Sequence, residues 1–160
     1  METNTMEINS PVFETSGNIP AVYTCQGRNI SPALHFKGVP LQAKSLVLIM
    51  EDPDAPDPKA PKMTWDHWLL YNIPSNTTSI LENADSQLPK GSLAGLNSWN
   101  KTGYGGPCPP IGRHRYYFKL YALEVMLSDL HEPDKNQLLQ AMQGHIIAQA
   151  QLIGTYQKAP

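Results

Sequence analysis

Hydrophobic positions in this chain gather into short runs cut by glycine, proline and polar residues. Ser45–Met50 (SLVLIM) is apolar without a break and bracketed by polar positions, which predicts a strand buried on both faces. Trp68–Ile73 (WLLYNI) predicts a second core strand, stopped by Pro74. Tyr116–Val125 alternates, with Tyr116, Phe118, Leu120 and Ala122 on one face and Tyr117, Lys119 and Tyr121 on the other. Val22–Cys25 reads as a weaker strand before the turn-like Gln26-Gly27-Arg28-Asn29. From Asp134 onward the pattern changes. Leu138, Leu139, Met142, Ile146, Ala150 and Ile153 recur at helical spacing, with Pro133 near the first turn, Gly144 as a break or kink and Gly154 as the stop. The expected fold is mainly β, with one or two C-terminal helices. Two stretches, Asp52–Asp66 and Pro74–Arg115, show little regular pattern and read as long functional loops.

The chain has 160 residues, no internal repeat and no low-complexity linker, so residues 1–160 read as a single domain. A net charge of −2 with scattered basic residues argues against nucleic acid as a partner. The 15 prolines fall between hydrophobic runs, which suits ordered turns better than disorder. No apolar stretch approaches the roughly 18–20 residues of a transmembrane span, and the first residues lack the basic and apolar regions of a secretory signal. Cys25 and Cys108 fit neither a zinc site nor a Cys-x-x-Cys motif. Cys25 and Cys108 allow one disulfide at most; the expectation is free thiols in a cytoplasmic protein, with that disulfide as the alternative.

Three segments carry chemistry. Asp52-Pro53-Asp54-Ala55-Pro56 follows the buried run and reads as a rigid acidic turn able to aim a carboxylate into a pocket. A solvated turn, with Ala55–Pro56 cis, is the plainer alternative. Trp65-Asp66-His67-Trp68 enters the next strand. Simple alternation puts Asp66 and Trp68 on one face and His67 on the other, and a core histidine satisfied by a carbonyl is the alternative. Tyr104–Tyr116 holds Gly105-Gly106, the three prolines Pro107, Pro109 and Pro110, and His114-Arg115 at its end. It reads either as an oxyanion cradle with backbone donors or as a rigid turn with an exposed basic pair. His35, His131 and His145 read as structural.

The combination and order of these motifs resemble the phosphatidylethanolamine-binding protein family, in its bacterial and archaeal Raf-kinase-inhibitor-like branch. The resemblance runs from Ile19-Pro20, Tyr23-Thr24-Cys25 and Asn29-Ile30-Ser31-Pro32 through Asp52–Pro56, His67-Trp68 and Tyr71–Pro74 to Tyr104–Tyr116, Phe118–Leu123 and Ala141–Ile146. It implies a β-sandwich-like fold with a large central antiparallel sheet, a smaller sheet and C-terminal helical elements. It also implies a pocket for phosphate-type or phospholipid head groups, formed by Asp52, His67 and His114. Tyr116 would be an aromatic wall, Gly106 a backbone donor, and Pro56 and Pro110 the rim. Asp52 would accept from an imidazole and fix its tautomer. Three differences from animal members stand out: Met63 replaces a tyrosine, Asp66 replaces a histidine, and a C-terminal tyrosine is lacking. The animal ligand and the animal and plant signalling partners are therefore not carried over.

The expected function is small-anion binding without catalysis and without a cofactor, by a monomer or homodimer, in a regulatory or inhibitor module. Two alternatives stand beside it. One is a protein–protein inhibitor of a kinase or protease that docks through the pocket rim. The other is a metal-dependent hydrolase with Asp52, His67 and His114 as a two-His-one-carboxylate set. Against the second, there is no HExxH-like element and no Gly-x-Ser-x-Gly, and Cys108 is held between prolines.

Overall fold

The structure, a computed structural model, describes residues 5–160. Its strands are β1 (Glu7–Asn9), β2 (Leu34–Lys37), β3 (Ser45–Ala55), β4 (Met63–Pro74), β5 (Ser79–Ile80), β6 (Leu93–Ala94), β7 (Arg113–Leu123) and β8 (Ile146–Gln157), with one helix, α1 (Lys135–Met142). A central five-stranded sheet has the order β6-β4-β3-β7-β8 and a smaller sheet the order β1-β2-β5. All pairings between these strands are antiparallel.

The unbroken apolar run of β3 follows from its central place. Leu46, Leu48 and Met50 enter a core shared with Ile8, Leu34, Phe36 and Ile80 of the small sheet. Val47 and Ile49 enter a second core, with Leu69, Tyr71 and the α1 residues Leu138 and Met142. Both faces of β3 are thus removed from water, and alternation has nothing polar to mark. On β7 one face is dry: Tyr116, Phe118, Leu120 and Ala122 are fully buried, while Tyr117, Lys119 and Tyr121 are half-buried.

Several expectations are corrected. The acidic segment Asp52–Ala55 is strand rather than turn. Pro53 is tolerated because the β3–β7 ladder ends at Glu51 and the β3–β4 register shifts between Asp52 and Ala55. The Ala55–Pro56 peptide is cis. Val22–Cys25 is no strand. Ala21–Tyr23 forms a 3₁₀ turn, tied by Tyr23 N–H to the Pro20 carbonyl at 3.1 Å.

The periodic C-terminal stretch is helix only as far as Met142. Asp134 caps α1 by accepting from the Gln137 N–H, and the Gln137 side chain accepts from the Asp134 N–H, a reciprocal capping box. Gly144 then takes φ +84°, and the chain returns as β8, paired with β7 from Arg113↔Gln157 to Leu123↔Ile146. Ile146, Ile147, Ile153, Thr155 and Tyr156 suit that strand, and β7 would otherwise lack a neighbour on this side. Gly154 therefore stops no helix, and His145 lies in the turn before β8 rather than inside a helix.

The free-thiol expectation is also overturned, because Cys25 and Cys108 form a disulfide. Cys25 N–H donates to the Pro107 carbonyl at 3.1 Å, which brings the two Cα atoms to 5.4 Å across 83 residues of sequence. Local cysteine spacing carries no trace of such a long-range approach. The cytoplasmic expectation loses the support of free thiols. Among the described residues no helix is long and apolar enough to cross a membrane.

Candidate functional site

The distal ends of β3, β4 and β7 and the loop before β7 enclose a cavity of about 460 Å³. Asp52, Pro56, His67, Pro110, His114 and Tyr116 line it, together with Met63, Trp65, Trp99 and Cys108. Of the residues singled out from sequence, Gly106 alone is absent from the lining.

A β-bulge sets the stage. Met50 pairs with Trp68 and Glu51 with Asp66, so His67 is the extra residue on β4. A bulge puts two successive side chains on the same side of a strand. His67 and Trp68 therefore share the face that carries Asp52 and Tyr116. Asp66 turns to the opposite face, where it meets Lys135 of α1 at 2.8 Å. Simple alternation fails here for that reason.

The two histidines are in different states. His114 is fully buried and both ring nitrogens are committed. Its Nδ1 lies 2.6 Å from Asp52 Oδ2, and its Nε2 lies 2.8 Å from the Ile111 carbonyl and 3.1 Å from the Pro56 carbonyl. Carbonyls only accept, so Nε2 carries a proton. The remaining proton is shared between Nδ1 and Asp52, and the pair is neutral overall. The other Asp52 oxygen accepts from the Asp54 N–H at 2.7 Å. Burial pushes the Asp52 carboxyl up, with the His114 hydrogen bond opposing. Asp54 is the outer partner. Its hydrogen bonds from Arg115 hold its carboxyl below the usual range.

His67 is different. Its Nδ1 donates to the Gly105 carbonyl at 2.6 Å, and its Nε2, buried, has no partner among the described residues. Burial drives its pKa down to about 4, so the ring is neutral near pH 7 with a bare lone pair on Nε2. The Tyr116 hydroxyl is likewise buried and unpartnered, and burial raises its pKa. The Tyr116 ring meets His67 edge-on at 5.3 Å and lies near-parallel to His114 at 6.3 Å.

The glycine loop serves packing rather than cradling. Gly106 N–H donates to Asn29 Oδ1 at 2.9 Å, and Gly105 N–H donates to the His67 carbonyl at 3.0 Å. A Cβ on Gly106 would fall 2.3 Å from Asn29 Oδ1 and 2.4 Å from the Tyr23 carbonyl oxygen. The expected backbone donor is therefore already in use. Nor do Asp52, His67 and His114 make a ligand set for a metal: His114 has no free nitrogen. Among the described residues no group of three or more His, Cys, Asp or Glu could hold a metal ion.

Sequence reasoning passed over Trp65 and Trp99 as site residues. Trp99 packs edge-on against both His67, at 5.2 Å, and Trp65, at 5.5 Å. Trp65, two residues before His67, was the available signal. Nothing near Trp99 in the sequence points to the site, because its place depends on the tertiary path of the loop.

The family model described as Phosphatidylethanolamine-binding protein matches residues 9–157. A UPF0098 protein of Methanothermobacter thermautotrophicus is 46% identical over 155 residues, covering 96% of this chain and 99% of its own. Another, from Chlamydia trachomatis, is 48% identical over 153 residues, covering 96% of this chain and 99% of its own. Among solved structures, a putative phosphatidylethanolamine-binding protein homolog from Chlamydia trachomatis superposes with TM-score 0.90 at 48% identity, covering 98% of this chain and all of its own. E. coli YbcL, described as a new member of the mammalian family, gives 0.86 at 29% identity, covering 96% and 99%.

Proposed function

We propose that this chain, which belongs to the phosphatidylethanolamine-binding protein family, is a non-catalytic binding protein that takes small oxyanions, phosphate-type head groups among them, in the cavity between β3, β4 and β7. One observation carries the reading. His67 Nε2 and the Tyr116 hydroxyl are buried and unpartnered, and both residues line one cavity whose other walls are the paired Asp52 and His114 together with Met63, Trp65, Trp99, Cys108 and prolines. Buried polar atoms nearly always have partners, so two orphans at one cavity mark where ligand atoms would complete the set. An apolar pocket with a few convergent polar groups is the usual form of a small-molecule site. The names of the relatives point the same way.

In this reading the Asp52–His114 pair is scaffold. It joins β3 to β7 at the cavity floor and, being neutral overall, leaves an anion unrepelled. The test is an NMR titration of phosphoethanolamine, inorganic phosphate and acetate into labelled protein. Saturable shifts are expected for the His67 and Tyr116 rings and the Gly105 amide. Affinity should fall at least about tenfold in Tyr116→Phe, the loss of one hydrogen bond to a charged group. Absence of shifts at these positions at millimolar ligand would remove the reading.

A further inference from the structure

The cavity has polar partners for an oxyanion but no standing positive charge. No lysine or arginine is among the described residues that line it. Among the described residues, the other titratable groups that line the cavity, and the neighbouring Asp54 and Asp66, are paired or neutral. Asp52 of β3 and His114 of β7 share a proton as a neutral pair. Asp54 is held by Arg115, and Asp66, on the far face of β4, by Lys135. Tyr104 donates to the Tyr23 carbonyl at 2.7 Å, Tyr116 is a neutral phenol, and Cys108 is in the disulfide. The Gly105 carbonyl fixes the His67 proton on Nδ1, which leaves a lone pair on Nε2. An oxyanion oxygen facing that lone pair would be repelled.

Resting on the function proposed above, we infer that the cavity admits an oxyanion only together with one proton, held between a ligand oxygen and Nε2 of His67, and so selects phosphomonoesters over phosphodiesters. The proton comes either from solvent or on the ligand itself. A diester has none to bring, so His67 must take one up from water. With a free-state pKa of about 4, that weakens diester binding at pH 7 by about a thousandfold relative to a site already protonated. A monoester, whose second ionisation lies near pH 6, donates its own P–O–H and loses only about tenfold at pH 7. With the two complexes equally tight once the proton is in place, the expected preference is about 100-fold at pH 7. It separates a free phosphorylated small molecule from the phosphodiester of an intact phospholipid.

Isothermal titration with methyl phosphate and dimethyl phosphate, at pH 5 and pH 7 and in two buffers of different ionisation enthalpy, tests this. Methyl phosphate should bind about 100-fold more tightly than dimethyl phosphate at pH 7, narrowing to about tenfold at pH 5. Binding of the diester should take up about one proton per site. In His67→Gln, whose amide donates without titrating, both the preference and the proton uptake should vanish, with the amide spectrum showing the fold retained. Equal affinity for the two esters at pH 7, or a preference that survives His67→Gln, overturns the inference while leaving the anion site standing. If neither ester nor inorganic phosphate binds at millimolar concentration, the functional reading fails and the inference with it.

Discussion

His67 and His114 are the same residue type on adjacent walls of one cavity, and their hydrogen bonds give them opposite roles. His114 is saturated by Asp52 and two carbonyls. His67 is half-satisfied and kept neutral by burial. A histidine whose folded pKa lies below its unfolded value binds fewer protons when folded, so stability is lost as pH falls between the two values. For His67 the window runs from about 6.5 down to about 4, worth about 3 kcal/mol at about 1.4 kcal/mol per unit. Urea unfolding of wild type and His67→Gln should show this: the variant loses less stability between pH 6.5 and pH 4, by roughly that amount. Parallel pH profiles would show that His67 is not held neutral. Most of the site's residues were legible in the sequence, since Asp52, His67, His114 and Tyr116 stand in a family-specific order. Their hydrogen-bond commitments were not. Whether an imidazole nitrogen is free depends on carbonyls such as Ile111 and Gly105, whose direction no side-chain pattern encodes.

Among the elements, β3, β4 and β7 were readable as strands because burial leaves a compositional mark. Their ends were not, since Asp52–Ala55 and Met63–Asp66 look like loop and pair only because a neighbour is there. The bulge at His67 is invisible for the same reason: it is a mismatch of two strands and belongs to neither sequence alone. The last strand is the sharpest case. Ile146, Ala150 and Ile153 fit a helical period, yet Ala148, Leu152, Gly154 and Tyr156 are the buried set, with a period of two. Gly154 pairs with Tyr116 across the ladder, and a Cβ there would lie 2.6 Å from Ile19 Cγ1 and 2.9 Å from Phe13 Cε2. Gly154→Ala should therefore cost about 1–3 kcal/mol by overpacking, measured by chemical denaturation. A neutral substitution would mean that the Phe13–Ile19 segment does not lie against β8 as described.

At the scale of the whole molecule, the cavity sits where the central sheet ends, and its wall depends on segments far apart in sequence. Tyr104, Gly106 and Cys108 tie the loop before β7 to Tyr23, Asn29 and Cys25. The Cys25–Cys108 bond also makes a covalent ring of the intervening chain, and that ring contains the exposed Lys59 and Lys62 between β3 and β4. A protease that cuts once at either lysine opens the ring without releasing a piece. Nicked protein should therefore run as a single full-length band on a non-reducing gel and split into two fragments when a thiol is added. Fragments seen without reductant would mean the ring had never closed. The same closure means that a clipped copy keeps its halves at an effectively fixed local concentration. It can lose its peptide continuity and still hold the cavity together.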